Sequence, residues 1–122
     1  MEEKTFDLEE RLIDFAVSII NLVESLPVSK SATHLGGQLL KSGTSPSLNY
    51  GEAKSAESKS DFIHKMKVCL KELRESYNCL RILRKAGIYK SEQQIHELIE
   101  ECNELISIFV KSISTASKKG LK

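Results

Sequence analysis

Three histidines, three cysteines and a double glycine are the residues whose types could do chemistry in this chain. A metal site in a helical protein needs side chains that converge on one ion, for example Glu-x-x-His pairs on facing helices. His34, His64 and His96 fall in three different helical segments, and no glutamate stands three residues before any of them. Asp61-Phe62-Ile63-His64 is the nearest approach, and its plain reading is a first-turn charge followed by a partly exposed histidine. Cys69, Cys79 and Cys102 are odd in number and lack paired metal-type spacing, which suits neither a disulfide framework nor a zinc site. Two of them fall on or near apolar seams, where a desolvated thiol is inert. Gly36-Gly37 resembles a phosphate loop only superficially: no strand precedes it, and no Lys-Ser or Lys-Thr follows in that motif's register. The pair reads instead as a place where helices approach closely. These residues imply no catalytic centre, metal or cofactor.

Charge carries more information. The 122 residues have a formal net charge of only +1, so the whole-molecule field of many nucleic-acid binders is missing. Its distribution is uneven. Residues 1–29 hold two basic and seven acidic side chains, while residues 54–90 hold ten basic and four acidic. At 100° per residue, Lys67, Lys71, Arg74, Arg81 and Lys85 fall within about 80° of one another on a helix, with Asn78 in the gap. Asp61, Glu72 and Glu75 project to another side, and Glu3, Asp7, Glu10 and Asp14 form an acidic stripe near the amino terminus. The basic stripe could meet phosphates, with salt-dependent binding. It could meet the acidic stripe of another subunit, or be a solvated face. Only Tyr77 and Tyr89 lie near it, so base stacking on a single strand has little support and any nucleic-acid contact concerns backbone and shape.

The elements that must carry these residues are all helical. Leu8, Leu12, Phe15, Ile19, Leu22 and Leu26 mark one face of a first helix, which Pro27 should end. Residues 29–60 hold ten Ser or Thr and four Gly, the composition of a linker. Leu35, Leu39, Ser42, Pro46, Asn49 or Tyr50, and Ala53 nevertheless keep helical spacing, so the segment reads as a helix with a small-residue inner face, kinked or split near Pro46. Ser60 with Asp61 should open a third helix, seamed by Phe62, Met66, Cys69, Leu73, Leu80 and Leu83 and stopped at Gly87. Ser91 with Gln94 caps a fourth, seamed by Ile95, Leu98, Cys102, Leu105 and Phe109, and residues 118–122 read as a frayed tail. The expectation is an all-α, up-down-up-down four-helix bundle forming one domain over 1–122, with helices at about 7–26, 30–57, 60–86 and 91–116. Ile13, Ala16, Ile20 and Val23 on the first helix, and Ile99, Ile106 and Ile113 on the fourth, give more apolar width than a monomeric bundle needs. The start of the chain is acidic, and no apolar stretch approaches the ~20 residues of a membrane span. The expected location is the cytoplasm, with no membrane partner.

Arg11-Leu12-Ile13-Asp14-Phe15-Ala16, the run from Gly37 to Pro46, Asn49-Tyr50-Gly51-Glu52-Ala53, Ser60 to Lys65 and Leu70 to Ser76 together resemble the four helix bundle protein family, also called the 23S rRNA intervening sequence protein family. The likeness covers nearly the whole chain. It implies a left-handed four-helix bundle assembled as a ring-shaped homopentamer, and it implies no enzymatic activity. The family is also similar to the accessory variability determinant protein of diversity-generating retroelements, a pentameric barrel whose basic surface contacts nucleic acid. A ring would account for the surplus apolar width, since each subunit needs two contact patches. Asn49 is then expected as a buried hydrogen-bonding residue at an interhelix contact, with Glu52 beside it. The leading functional expectation is a non-enzymatic homopentamer that binds structured nucleic acid, RNA first, through Lys67, Lys71, Arg74, Arg81 and Lys85. The alternative is a scaffold for a partner protein, with no direct nucleic-acid affinity.

Overall fold

The computed structural model describes residues 7–120, with side chains to residue 118. Glu3 of the acidic stripe and Leu121-Lys122 of the terminal segment lie outside the described residues. The described residues form four helices and no strand: α1 Leu8–Glu24, α2 Lys30–Lys54, α3 Lys59–Ala86 and α4 Glu92–Gly120. The protein is an all-α four-helix bundle.

Local chemistry sets the helix ends. The Asp7 carboxylate accepts from the Glu10 N–H at 3.1 Å and Ser29 Oγ from Ala32 N–H at 3.1 Å, each satisfying a donor that the first turn leaves unpaired. α1 stops at Glu24, with Ser25 as its C-cap, so Pro27 lies beyond the end and does not itself break the helix. α3 begins one residue earlier than expected, because Ser58 and not Ser60 accepts from Asp61 N–H, at 3.0 Å. Gly87 ends α3 with φ 72°, the left-handed conformation that costs glycine nothing. Ser91 Oγ accepts from Gln94 N–H at 3.2 Å. α4 then runs on to Gly120, so Lys118 stands on a helix and not in a frayed tail.

The Ser/Gly-rich segment is one helix that passes Pro46 without interruption, which removes the two-piece alternative. Its hydroxyls do not compete it away. Thr44 Oγ1 and Ser45 Oγ donate back to the carbonyls of Leu40 and Lys41, both at 2.7 Å, within the stretch where a proline disturbs the ladder.

Each helix packs on its sequence neighbours, and α1 also meets α4 along the loosest of the four seams. The inner face of α2 decides how close its neighbours come. A Cβ built on Gly43 would lie 2.7 Å from Ile19 Cγ1, and one on Gly36 would lie 3.3 Å from Leu26 Cδ1. Gly37, by contrast, has open space at that position, so only one member of the double glycine serves a contact inside the bundle. On the other side of α2, the fully buried Ser42 and Ser76 hydroxyls share a hydrogen bond of 2.8 Å between α2 and α3. Cys102 Sγ donates to the Leu73 carbonyl at 3.2 Å, joining α3 to α4. The apolar core runs through Leu12, Phe15, Ile19, Leu39, Leu73, Leu80, Leu105 and Phe109.

Gly43→Ala should therefore cost about 1–3 kcal/mol, as overpacking does in a filled core. Urea unfolding checks this, and the Gly43→Ala/Ile19→Ala pair should lose clearly less than the sum of its single losses.

Candidate nucleic-acid interface

The α3 seam residues Met66, Cys69, Leu73, Leu80 and Leu83 are buried, which fixes the rotation of the helix. The residues half a turn away must face solvent. Lys67, Lys71, Arg74, Asn78, Arg81 and Lys85 are accordingly all exposed. They occupy a straight line of about 27 Å, given 1.5 Å of rise per residue. The ion pairs among the described residues engage Arg11, Lys54, Lys65 and His96, and none involves a stripe cation. The Arg81 guanidinium lies 5.6 Å from the centroid of the Tyr77 ring. Tyr77, with Arg81 over its ring, and Tyr89 are both half-buried, which gives base stacking little support. The surface offers charge and hydrogen-bond donors along a rod, an arrangement suited to phosphates.

The α1–α4 seam, by contrast, is acidic. Asp14, Glu97 and Glu101 line a groove of about 310 Å³ between α1 and α4, with Phe15 and Leu98 at its apolar lining. A second groove of about 350 Å³ is lined by His96, Glu97, Glu100, Glu101 and Glu104. Arg11 clamps this seam: its Nη2 donates to Glu101 Oε1 at 2.8 Å and its Nε to Glu101 Oε2 at 3.1 Å, and it also bonds Glu104. These hydrogen bonds hold the guanidinium proton even more firmly than usual. Of the α1 acidic stripe, Asp7, Glu10 and Asp14 are exposed, and Asp7 also caps its helix.

The remaining candidates are scattered. His34, His64 and His96 are exposed on α2, α3 and α4, and no group of three or more His, Cys, Asp or Glu among the described residues could hold a metal ion. Asn49 is only half-buried, whereas a buried position is expected of it. The buried polar contacts from α2 to α3 are the Ser42–Ser76 pair and the Pro46 carbonyl, which accepts from Cys69 Sγ at 3.5 Å. Glu52 is exposed and pairs with Lys65 at 2.8 Å. No described helix is long and apolar enough to cross a membrane.

Residues 4–111 match the profile of the 23S rRNA-intervening sequence protein family. Among solved structures, a protein of unknown function from the S23 ribosomal protein family of Bacteroides thetaiotaomicron is similar to this chain. It has a TM-score of 0.78 and 30% identity, over 88% of this chain and 98% of that one. No curated protein matches the chain.

Burial pushes the thiols of Cys69 and Cys102 up to about 12 and raises that of Cys79. An aromatic disulfide reagent at pH 8 should leave Cys69 and Cys102 unmodified in the folded protein and modify both in denaturant. Because the folded thiols hold their protons to higher pH than unfolded ones, their contribution to stability is complete below about pH 8.5. It should be lost as pH rises towards 12, which urea titrations at stepped alkaline pH would show.

Proposed function

Because the chain belongs to the 23S rRNA-intervening sequence protein family, we propose that it works by binding and not by catalysis, as a cytoplasmic homopentamer that holds structured nucleic acid, RNA first, against the α3 stripe. The observation that carries this reading is the line of five exposed cations on one face of one helix, engaged by no described carboxylate. Neutralising a run of phosphates releases condensed counterions, so binding weakens steeply with salt. Without an exposed aromatic beside the cations, recognition concerns the backbone and shape of a folded strand more than its sequence.

The ring adds to this mechanism. Five copies present five stripes, and weak phosphate contacts on one RNA reinforce one another when the sites can be spanned together. The acidic α1–α4 seam orients the approach, because an RNA meets repulsion there and attraction at α3.

Replacing Lys67, Lys71, Arg74 and Arg81 with Glu should abolish RNA retention at low salt while helix content stays unchanged by circular dichroism. On a duplex, log K should fall with log salt at a slope of about −4 to −5 for five contacts, and Lys71→Ala alone should reduce that slope by about 1. Unchanged affinity in the fourfold variant would exclude the stripe as the site.

A further inference from the structure

A cleft of about 590 Å³ opens between the first turn of α3 and the last turns of α4. It is larger than either groove of the α1–α4 seam, and it falls within the size of small-molecule sites, about 300–1,000 Å³. Its floor is apolar. Phe62, from the seam of α3, and Ile108 on α4 are both half-buried and pack against the hydrophobic core, and Ala116 continues the floor along α4. Core packing thus holds the floor in place.

The rim is cationic. Lys59 and Lys111 come to the cleft from different helices and are both exposed, Ser112 and Thr115 add two hydroxyls, and no carboxylate is among the lining residues. The grooves of the α1–α4 seam have the opposite character, lined by Asp14, Glu97, Glu100, Glu101 and Glu104. Lys54 and Lys65, at the same end of the bundle, are each paired with a glutamate at 2.8 Å, whereas the described ion pairs take up neither Lys59 nor Lys111.

Floor and rim together select a ligand. A bare phosphate or a nucleic-acid backbone would meet the lysines and leave the apolar floor wet, while a neutral hydrocarbon would cover the floor and gain nothing from the lysines. We infer that the cleft is a binding site for a small amphiphilic carboxylate, free in solution. Its apolar body lies on Phe62, Ile108 and Ala116, and its carboxylate is held at the rim by Lys59 and Lys111, with the Ser112 and Thr115 hydroxyls as further donors. Lysine suits such a rim, since its stem covers the ligand's chain while the ammonium stays at the water boundary. None of the five stripe cations lines the cleft, so the site goes beyond the nucleic-acid reading and does not depend on it.

The probe is octanoate, compared with octanol of the same chain length and with inorganic phosphate, and titrated into the full chain while the Ile108 and Thr115 methyl signals are followed by NMR. Octanoate should shift both signals to saturation with one molecule per chain, octanol should bind more weakly, and phosphate should move neither. Replacing Lys59 and Lys111 with Gln should weaken octanoate roughly five- to twentyfold, as the loss of two exposed charge pairs would, and leave octanol unchanged. Thr115→Trp, at an exposed position, should obstruct the cleft and remove binding of both with helix content unchanged. The site is overturned if octanoate moves neither methyl, if octanol binds as tightly as octanoate, or if phosphate shifts the same methyls as strongly. It is overturned equally if Thr115→Trp changes the oligomer mass, which would seat a second copy in the cleft. Binding seen only in a chain begun at Asp7 would give the cleft to the chain's own end and overturn it too.

Discussion

Ile19 on α1 lies so close to α2 that any side chain at position 43 would collide with it, a Cβ there falling 2.7 Å from its Cγ1. That approach, with the Ser42–Ser76 hydrogen bond on the opposite flank of α2, constrains the rest of the bundle. α2 is the wedge between α1 and α3, and it fits because its fully buried positions are Ala32, Gly36, Ser42, Gly43, Pro46 and Ala53 around Leu39, with Leu35 and Tyr50 half-buried against the core. A helix with so little apolar bulk gains stability mainly from the neighbours that enclose it. Its hydroxyls can therefore be buried only if each finds a partner. The pair has two protons: one joins Ser42 to Ser76 across the seam at 2.8 Å, and the other goes from the accepting hydroxyl to a carbonyl of its own helix, Leu39 for Ser42 at 3.5 Å or Glu72 for Ser76 at 3.1 Å.

This explains which parts of the fold were legible in the sequence. Strong periodicity of large apolar residues placed the seams of α1, α3 and α4 directly, and Gly87 and Ser91 declared their roles through backbone chemistry that needs no tertiary information. In α2 the spacing was readable but the partners were not. Gly36 and Gly37 look alike in sequence, and only the rotation of α2 against α1 makes one a contact and leaves the other facing outwards. The same ambiguity separated Ser58 from Ser60, either of which has the side chain of a cap. Asn49 was expected inside because asparagine in a helix usually answers to a partner, but the interhelix hydrogen bond went to a serine pair 34 residues apart in the chain.

Electrostatic features divide in the same way. The basic stripe was legible because all its members lie on one helix, where angle follows from residue number. The Arg11 clamp was not, since its partners Glu101 and Glu104 stand 90 and 93 residues away and nothing local marks Arg11 as different from other exposed cations. The clamp nevertheless shapes the surface. It ties the loosest seam of the bundle and draws one of the few basic residues of the acidic half towards α4, leaving Asp14 and Glu97 without a positive partner among the described residues.

The surface thus carries an acidic α1–α4 seam and a basic outer face on α3, and this division bears on how self-assembly and anion binding would coexist. A contact made between the basic and acidic faces would consume the cations that nucleic acid needs, and both functions would weaken together as salt rises. A contact that engages neither charged face would depend chiefly on apolar burial, which salt does not screen, and would leave the stripe open. Only the second arrangement would allow an assembly to persist at salt concentrations that displace a bound nucleic acid. The two salt dependences, compared on one preparation, separate an assembly held by packing from one held by charge.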